Sequence, residues 1–121
     1  MANIDYMLLA VRDPLTSGDL YARILGREPV EKASTFVMFV LPNGLKLGLW
    51  KADEIVPAAK APGGVELSLT MPDAAALSAL REEWAGYGLS ILQEPTQMDF
   101  GLTFTAEDSD GHRLRPFVPG M

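Results

Sequence analysis

Ile4-Asp5-Tyr6-Met7-Leu8-Leu9-Ala10-Val11-Arg12-Asp13-Pro14 is the stretch that decides the fold, because residues 65–74 repeat its plan. An apolar run of strand length ends at Val11. Asp13 then offers a carboxylate to cap a helix, and Pro14 suits the first helical position, where its missing N–H is not needed. Leu20, Tyr21, Ile24 and Leu25 recur at helical spacing, and Gly26 can close the helix in a left-handed conformation. Three strands are expected next, over Pro29–Lys32, Thr35–Leu41 and Leu45–Trp50. Pro42-Asn43-Gly44 joins the last two, and Asn43-Gly44 suits a tight hairpin because both residues tolerate positive φ.

The second copy runs in the same order. Val65–Met71 reads as a strand and Asp73 as a helix cap. Leu77, Leu80, Trp84 and Tyr87 mark one helical face, and Gly88 can end it. Leu89–Leu92 and Leu102–Thr105 read as strands, and Asp110-Gly111 as a turn into Arg113–Val118. Internal repetition outranks any local motif as a guide to architecture. The reading is a single α+β domain of two tandem β-α-β-β-β modules, residues 1–51 and 64–121, joined by a Pro- and Ala-rich connector at 52–63. One module has a helix on one face of its sheet and leaves the other face open. Two modules side by side would curl into a cleft-shaped, mostly antiparallel mixed sheet, and such clefts are where ligands bind.

Bulk composition narrows the function. A chain of 121 residues, 48% hydrophobic, can bury a real core. With no cysteine, disulfide scaffolds and thiolate metal sites are excluded. The net charge of -6 and the scattered basic residues speak against nucleic acid. No apolar run reaches the roughly 18 residues of a membrane span, and Met1–Tyr6 lacks the features of a secretory signal, so a cytoplasmic location is expected.

Val11-Arg12-Asp13 leading into Leu20-Tyr21-Ala22-Arg23-Ile24-Leu25-Gly26 resembles the first strand and helix of the vicinal-oxygen-chelate superfamily, which includes glyoxalases, bleomycin-resistance proteins and dioxygenases. Asp108-Ser109-Asp110-Gly111-His112-Arg113-Leu114 resembles its turn into the last strand. The resemblance spans nearly the whole chain and implies the glyoxalase/bleomycin resistance fold, with a homodimer as the favoured assembly. Metalloenzymes of this kind take one ligand from the first strand and one from the last strand of each half. Counting along the motifs puts those positions at Tyr6, Gly48, Glu66 and Arg115. Only Glu66 is a usual ligand, so neither a metal nor another cofactor is expected.

Strand alternation places Tyr6, Leu8 and Ala10 with Lys46, Gly48 and Trp50 on one open face. It places Glu66, Ser68 and Thr70 with Arg113, Arg115 and Phe117 on the other. The expected ligand-binding set is Trp50, Tyr6, Gly48, Glu66, Arg115, Phe117 and Lys46, with no catalytic residue. Trp50 reads either as a stacking platform for a flat ring or as a core or subunit-contact residue. The missing side chain of Gly48 is expected to leave room beside it. Glu66 and Arg115 read as an ion pair opposed across the pseudo-twofold axis, or as direct ligand contacts. Phe100 and Phe104 read as core, Trp84 and Tyr87 as packing, Met38, Met71 and Met98 as core or adaptable walls, and His112 as a surface residue at a strand start.

Glu28-Pro29-Val30, Leu49-Trp50, Glu66-Leu67-Ser68-Leu69-Thr70-Met71-Pro72, Glu94-Pro95 and Phe100-Gly101-Leu102-Thr103-Phe104 resemble the phenazine-resistance proteins of the superfamily. That implies metal-free sequestration of a planar aromatic compound, such as a phenazine- or quinone-type antibiotic, without chemistry. The alternatives are a glyoxalase- or dioxygenase-like enzyme with Glu66 as base or metal ligand, and a regulatory module that holds a protein segment.

Overall fold

Alternation of buried and open positions along each strand builds two four-stranded sheets with one helix apiece. The computed structural model describes residues 4–61 and 64–120. The elements are β1 (Tyr6–Val11), α1 (Pro14–Leu25), β2 (Glu31–Lys32), β3 (Phe36–Val40), β4 (Lys46–Lys51), β5 (Glu66–Thr70), α2 (Ala74–Gly86), β6 (Ser90–Met98), β7 (Gly101–Glu107) and β8 (Arg113–Pro119). One short 3₁₀ turn, Ala52–Glu54, follows β4. The fold is α+β with two β-α-β-β-β modules, and the chain divides into two units, Met1–Pro62 and Gly63–Met121. No helix of the described residues is long and apolar enough to cross a membrane.

In the first unit the strand order is β1-β4-β3-β2, with β1 and β4 parallel and the other pairs antiparallel. Asp13 caps α1 by accepting from the N–H groups of Leu15 and Thr16, and Gly26 ends it at φ 65°. The helix packs on β3 and β4. Leu9, Val11, Val37, Phe39, Leu47 and Leu49 point toward it and are buried, together with Tyr21 of the helix. Burying each of the large apolar side chains contributes roughly 1.5–3 kcal/mol.

The second unit has the order β5-β8-β7-β6, again with one parallel pair, β5 and β8. Asp73 caps α2 through the N–H of Ala76. Leu77, Trp84, Leu89, Phe104, Ala106, Leu114 and Val118 form its core, with Trp84 edge-on to Phe104 at 5.6 Å. The indole N–H of Trp84 is buried and has no hydrogen-bond partner among the described residues.

The turn ahead of the last strand has one geometry in both units. Gly44 N–H donates to Leu41 O and Leu41 N–H to Leu45 O; Gly111 N–H donates to Asp108 O and Asp108 N–H to His112 O. Gly44 and Gly111 have φ of 89° and 91°. Asn43 keeps a negative φ, so the link is a three-residue loop with a single left-handed glycine, not a turn with two positive φ angles.

Two readings change here. β6 extends to Met98, through Glu94-Pro95, where the sequence pattern stopped at Leu92. His112 is 2% exposed and not a surface residue. Its ring Nδ1 lies 2.9 Å from Oδ2 of the buried Asp108, whose Oδ1 accepts from the N–H groups of Asp110 and His112.

Candidate functional site

Facing follows from register. In the first unit Tyr6 sits beside Lys46, Leu8 beside Gly48 and Ala10 beside Trp50. Met38 pairs with Gly48 and Phe36 with Trp50. Residues paired across neighbouring strands share a face, and the helix side is taken by Leu9, Leu47, Val37 and their partners. Tyr6, Leu8, Phe36, Met38, Lys46, Gly48 and Trp50 therefore lie on the open face.

On that face Tyr6, Leu8, Glu31, Phe36 and Trp50 line a concavity of about 450 Å³. Tyr6 and Leu8 are 42% and 49% exposed, far more than apolar residues of a finished core. Phe36 stands edge-on to Trp50, with centroids 6.5 Å apart and planes at 88°. The Tyr6 hydroxyl meets the Met38 sulfur at 2.7 Å, and Lys46 Nζ lies 5.7 Å from the Tyr6 ring centroid. Large aromatic surface left in contact with water in a hollow of this size is the usual signature of a small-molecule site. A smaller hollow of about 270 Å³ is lined by Gly18, Asp19, Arg23, Glu28 and Lys32, and is charged instead of aromatic.

Gly48 does not leave the room expected of it. A Cβ there would sit 2.7 Å from Leu8 Cδ2 and 2.9 Å from Phe36 Cζ. Those two side chains already lean over the glycine, so its function is to let them close over the strand.

In the second unit Glu66, Arg115 and Phe117 lie on the open face, as Ser68 and Arg115 pair across β5 and β8. Arg115 Nε donates to Glu66 Oε1 at 2.8 Å and Nη2 to Oε2 at 3.2 Å. The pair is therefore a bidentate bridge between adjacent strands of one sheet, not a pair opposed across a pseudo-twofold axis. Arg115 Nη1 also donates to Gln93 Oε1, which accepts from Thr105 Oγ1. The hydrogen bond from Arg115 is the main cause holding the Glu66 carboxyl below its ordinary value, and it outweighs desolvation, which acts the other way. Phe100, expected in the core, is 44% exposed and edge-on to Phe117 at 5.9 Å, with the Arg115 guanidinium 5.9 Å from its ring.

The two units superimpose in pattern at the positions counted from sequence. Lys46 N–H donates to Asp5 O and Arg113 N–H to Val65 O, which makes Tyr6 equivalent to Glu66 and Gly48 to Arg115. The metal of the related metalloenzymes does not fit these residues. Gly48 has no donor and is covered by Leu8 and Phe36. Glu66 is engaged through both oxygens by a permanent cation. Among the described residues no group of three or more His, Asp or Glu side chains converges as a metal site would require.

Leu8, Phe36 and Glu31 of the concavity, and Gln93, Thr105 and Phe100 around Arg115, were not in the expected binding set. Alternation had put Leu8 on the open face; Phe36 and Glu31 needed the β2-β3-β4 register, which sequence does not supply.

A family model described as the Glyoxalase/Bleomycin resistance protein/Dioxygenase superfamily matches residues 3–115. A protein from Agrobacterium tumefaciens, solved by NMR, is 40% identical over 100% of both chains, with a TM-score of 0.92. A glyoxalase-related enzyme from Fulvimarina pelagi is 22% identical, covering 98% of this chain and 88% of its own, with a TM-score of 0.85. A glyoxalase/bleomycin resistance protein/dioxygenase family enzyme from Burkholderia phytofirmans is 12% identical over 98% and 100% of the two chains, with a TM-score of 0.84. These last two share the fold alone. Among curated proteins none matches. None of these descriptions refers to phenazine resistance, so the narrower resemblance read from the sequence gains no support from them.

Proposed function

We propose, from the premise that the chain belongs to the glyoxalase/bleomycin resistance protein/dioxygenase superfamily, that it binds and sequesters a planar aromatic small molecule of the phenazine or quinone type. The observation that carries this reading is the aromatic hollow on the open face of the first unit, lined by Tyr6, Leu8, Phe36 and Trp50. Aromatic walls hold a flat ring by burying area, with edge or stacking contacts adding about 0.5–1.5 kcal/mol. A homodimer, the common assembly of soluble proteins, is part of the proposal.

The enzymatic alternative assigns Glu66 as a general base. A base works best with a pKa near the working pH. Arg115 moves Glu66 the opposite way, making its carboxylate a weaker base. Binding without turnover is thus the better-supported role.

The test uses Trp50 as its own reporter. Trp84, the other tryptophan, is fully buried and its N–H has no hydrogen-bond partner among the described residues, so Trp84→Phe leaves Trp50 as the only indole at a cost of no more than about 2 kcal/mol. Titration of that variant with phenazine and 1,4-naphthoquinone is expected to give saturable quenching. Calorimetry on Trp50→Ala is expected to give binding weaker by about tenfold or more, in line with losing a large aromatic contact. Linear, unsaturable quenching with every planar compound would defeat the proposal.

A further inference from the structure

We infer that the hollow of the first unit prefers a planar aromatic cation, with Glu31 as the residue that sets the preference. This rests on the binding role proposed above and names the chemical class of its ligand.

Glu31 pairs with Met38 across β2 and β3, which puts its side chain on the open face. The next residue confirms the facing: Lys32 reaches the opposite side, with Nζ 3.8 Å from Asp19 of α1. Glu31 accordingly lines the hollow along with Tyr6, Leu8, Phe36 and Trp50. Its carboxylate has no ion-pair partner among the described residues. The other charge on this face, Lys46, lies in the row of Tyr6 and Val40 and is set against the Tyr6 ring. Glu31 lies in the row of Leu8, Gly48 and Met38, on the outermost strand. The hollow thus has a free anion on its β2 side, while the nearby Lys46 of β4 does not line it and is set against the Tyr6 ring.

Three kinds of attraction favour positive charge on the ligand. The ring faces of Trp50 and Phe36 carry the negative part of the aromatic quadrupole and attract a cation. The Glu31 carboxylate adds a direct Coulomb attraction, modest because it is exposed. The chain as a whole is at -6, which enriches cations near it. A flat ring with its positive charge directed toward Glu31 and away from Lys46 satisfies all three. An anionic ring meets Lys46 alone.

The experiment compares three tricyclic probes of similar shape on Trp84→Phe at neutral pH: 10-methylacridinium, phenazine and phenazine-1-carboxylate. The expected order of affinity is cation, neutral, anion, with the cation about tenfold tighter than phenazine. Glu31→Gln keeps the shape of an exposed side chain. It is expected to cut that cation-to-neutral ratio to about threefold, the part left to the rings. Raising the salt concentration is expected to narrow the ratio in the original protein more than in Glu31→Gln. If phenazine binds but the ratio is near one, or survives Glu31→Gln with less than a twofold change, the inference about Glu31 is wrong while the binding role stands. If none of the three probes binds, both fall together.

Discussion

Replacing Asp108 by alanine tests whether the turn before β8 is held by a buried carboxylate. Oδ1 of Asp108 accepts from the N–H groups of Asp110 and His112, both at 2.9 Å, and Oδ2 lies 2.9 Å from His112 Nδ1. A carboxylate only accepts, so Nδ1 must carry the proton and donate. Both side chains are 2% exposed, so water does not share these contacts. Asp108→Ala removes the Asp108 acceptor from three buried donors. Each orphaned donor costs about 1–3 kcal/mol, but the losses overlap, and breaking a buried charged network typically costs about 3–5 kcal/mol in all. For a chain of 121 residues, that is a fall in Tm of roughly 10–20 °C, at about 4 °C per kcal/mol. Asp108→Asn retains one oxygen for the two backbone donors and loses the ring contact unless His112 changes tautomer, so its fall is expected to be intermediate. Thermal melts followed by circular dichroism, checked by urea midpoints, measure the series. A fall of less than about 4 °C for Asp108→Ala, or an Asn variant no better than Ala, would refute the account of the turn.

Glu66→Gln tests the bridge to Arg115. Because the folded carboxyl titrates below its ordinary value, the bridge contributes stability that is present above the unfolded pKa. That contribution is lost as pH falls through the depressed folded one. The variant is therefore expected to be less stable at pH 7, by under about 1 kcal/mol for a partly exposed pair, with the deficit closing as pH falls through the depressed folded pKa; a urea midpoint difference that stays constant with pH contradicts this. Gly48→Ala drives a methyl group into Leu8 Cδ2 and Phe36 Cζ. Its net change in urea stability is expected to lie at about 0–2 kcal/mol destabilising, since overpacking outweighs the gain from removing a strand glycine. Phenazine affinity should fall as Phe36 is displaced, and tighter binding would show that the glycine does not seat these side chains. Trp84→Phe is expected to cost no more than about 2 kcal/mol, because the indole N–H has no hydrogen-bond partner to lose among the described residues. Its remaining emission should come from Trp50 and be open to acrylamide quenching; a blue, unquenchable spectrum would mean that Trp50 is not on an open face.

The repeat was legible because each copy carries its own punctuation. Asp13 and Asp73 cap helices in both halves, and Gly44 and Gly111 take the same left-handed position in equivalent loops. Facing was legible too, since alternation along β1, β4, β5 and β8 needs only one residue to set the parity. What failed was what depended on the partners a residue meets in the fold, near or far in sequence. Glu94-Pro95 looked like the end of a strand, yet β6 is an edge strand whose pairing with β7 shifts register between Gln93 and Thr96, and an irregular edge tolerates proline. His112 has the parity of the buried Leu114, but its burial depends on Asp108 supplying an acceptor four residues earlier. Gly48 was read as empty space, although a missing side chain only marks where neighbouring side chains can close in.

Equivalent positions in the two units have diverged in opposite directions. Tyr6 and Gly48 leave the first sheet with an apolar, aromatic face, while Glu66 and Arg115 give the second a charged bridge at the same two places. The bridge is a poor explanation of stability, since a partly exposed pair contributes about 0–1 kcal/mol. Its larger effect is electrostatic: with both its terminal nitrogens and Nε engaged by Glu66 and Gln93, Arg115 is no longer a free cation able to attract an anionic ligand. In the first unit Glu31, beside the aromatic rings, has no such partner among the described residues. The preference proposed above for a flat, positively charged ligand therefore rests on Glu31 and the rings of the first unit alone.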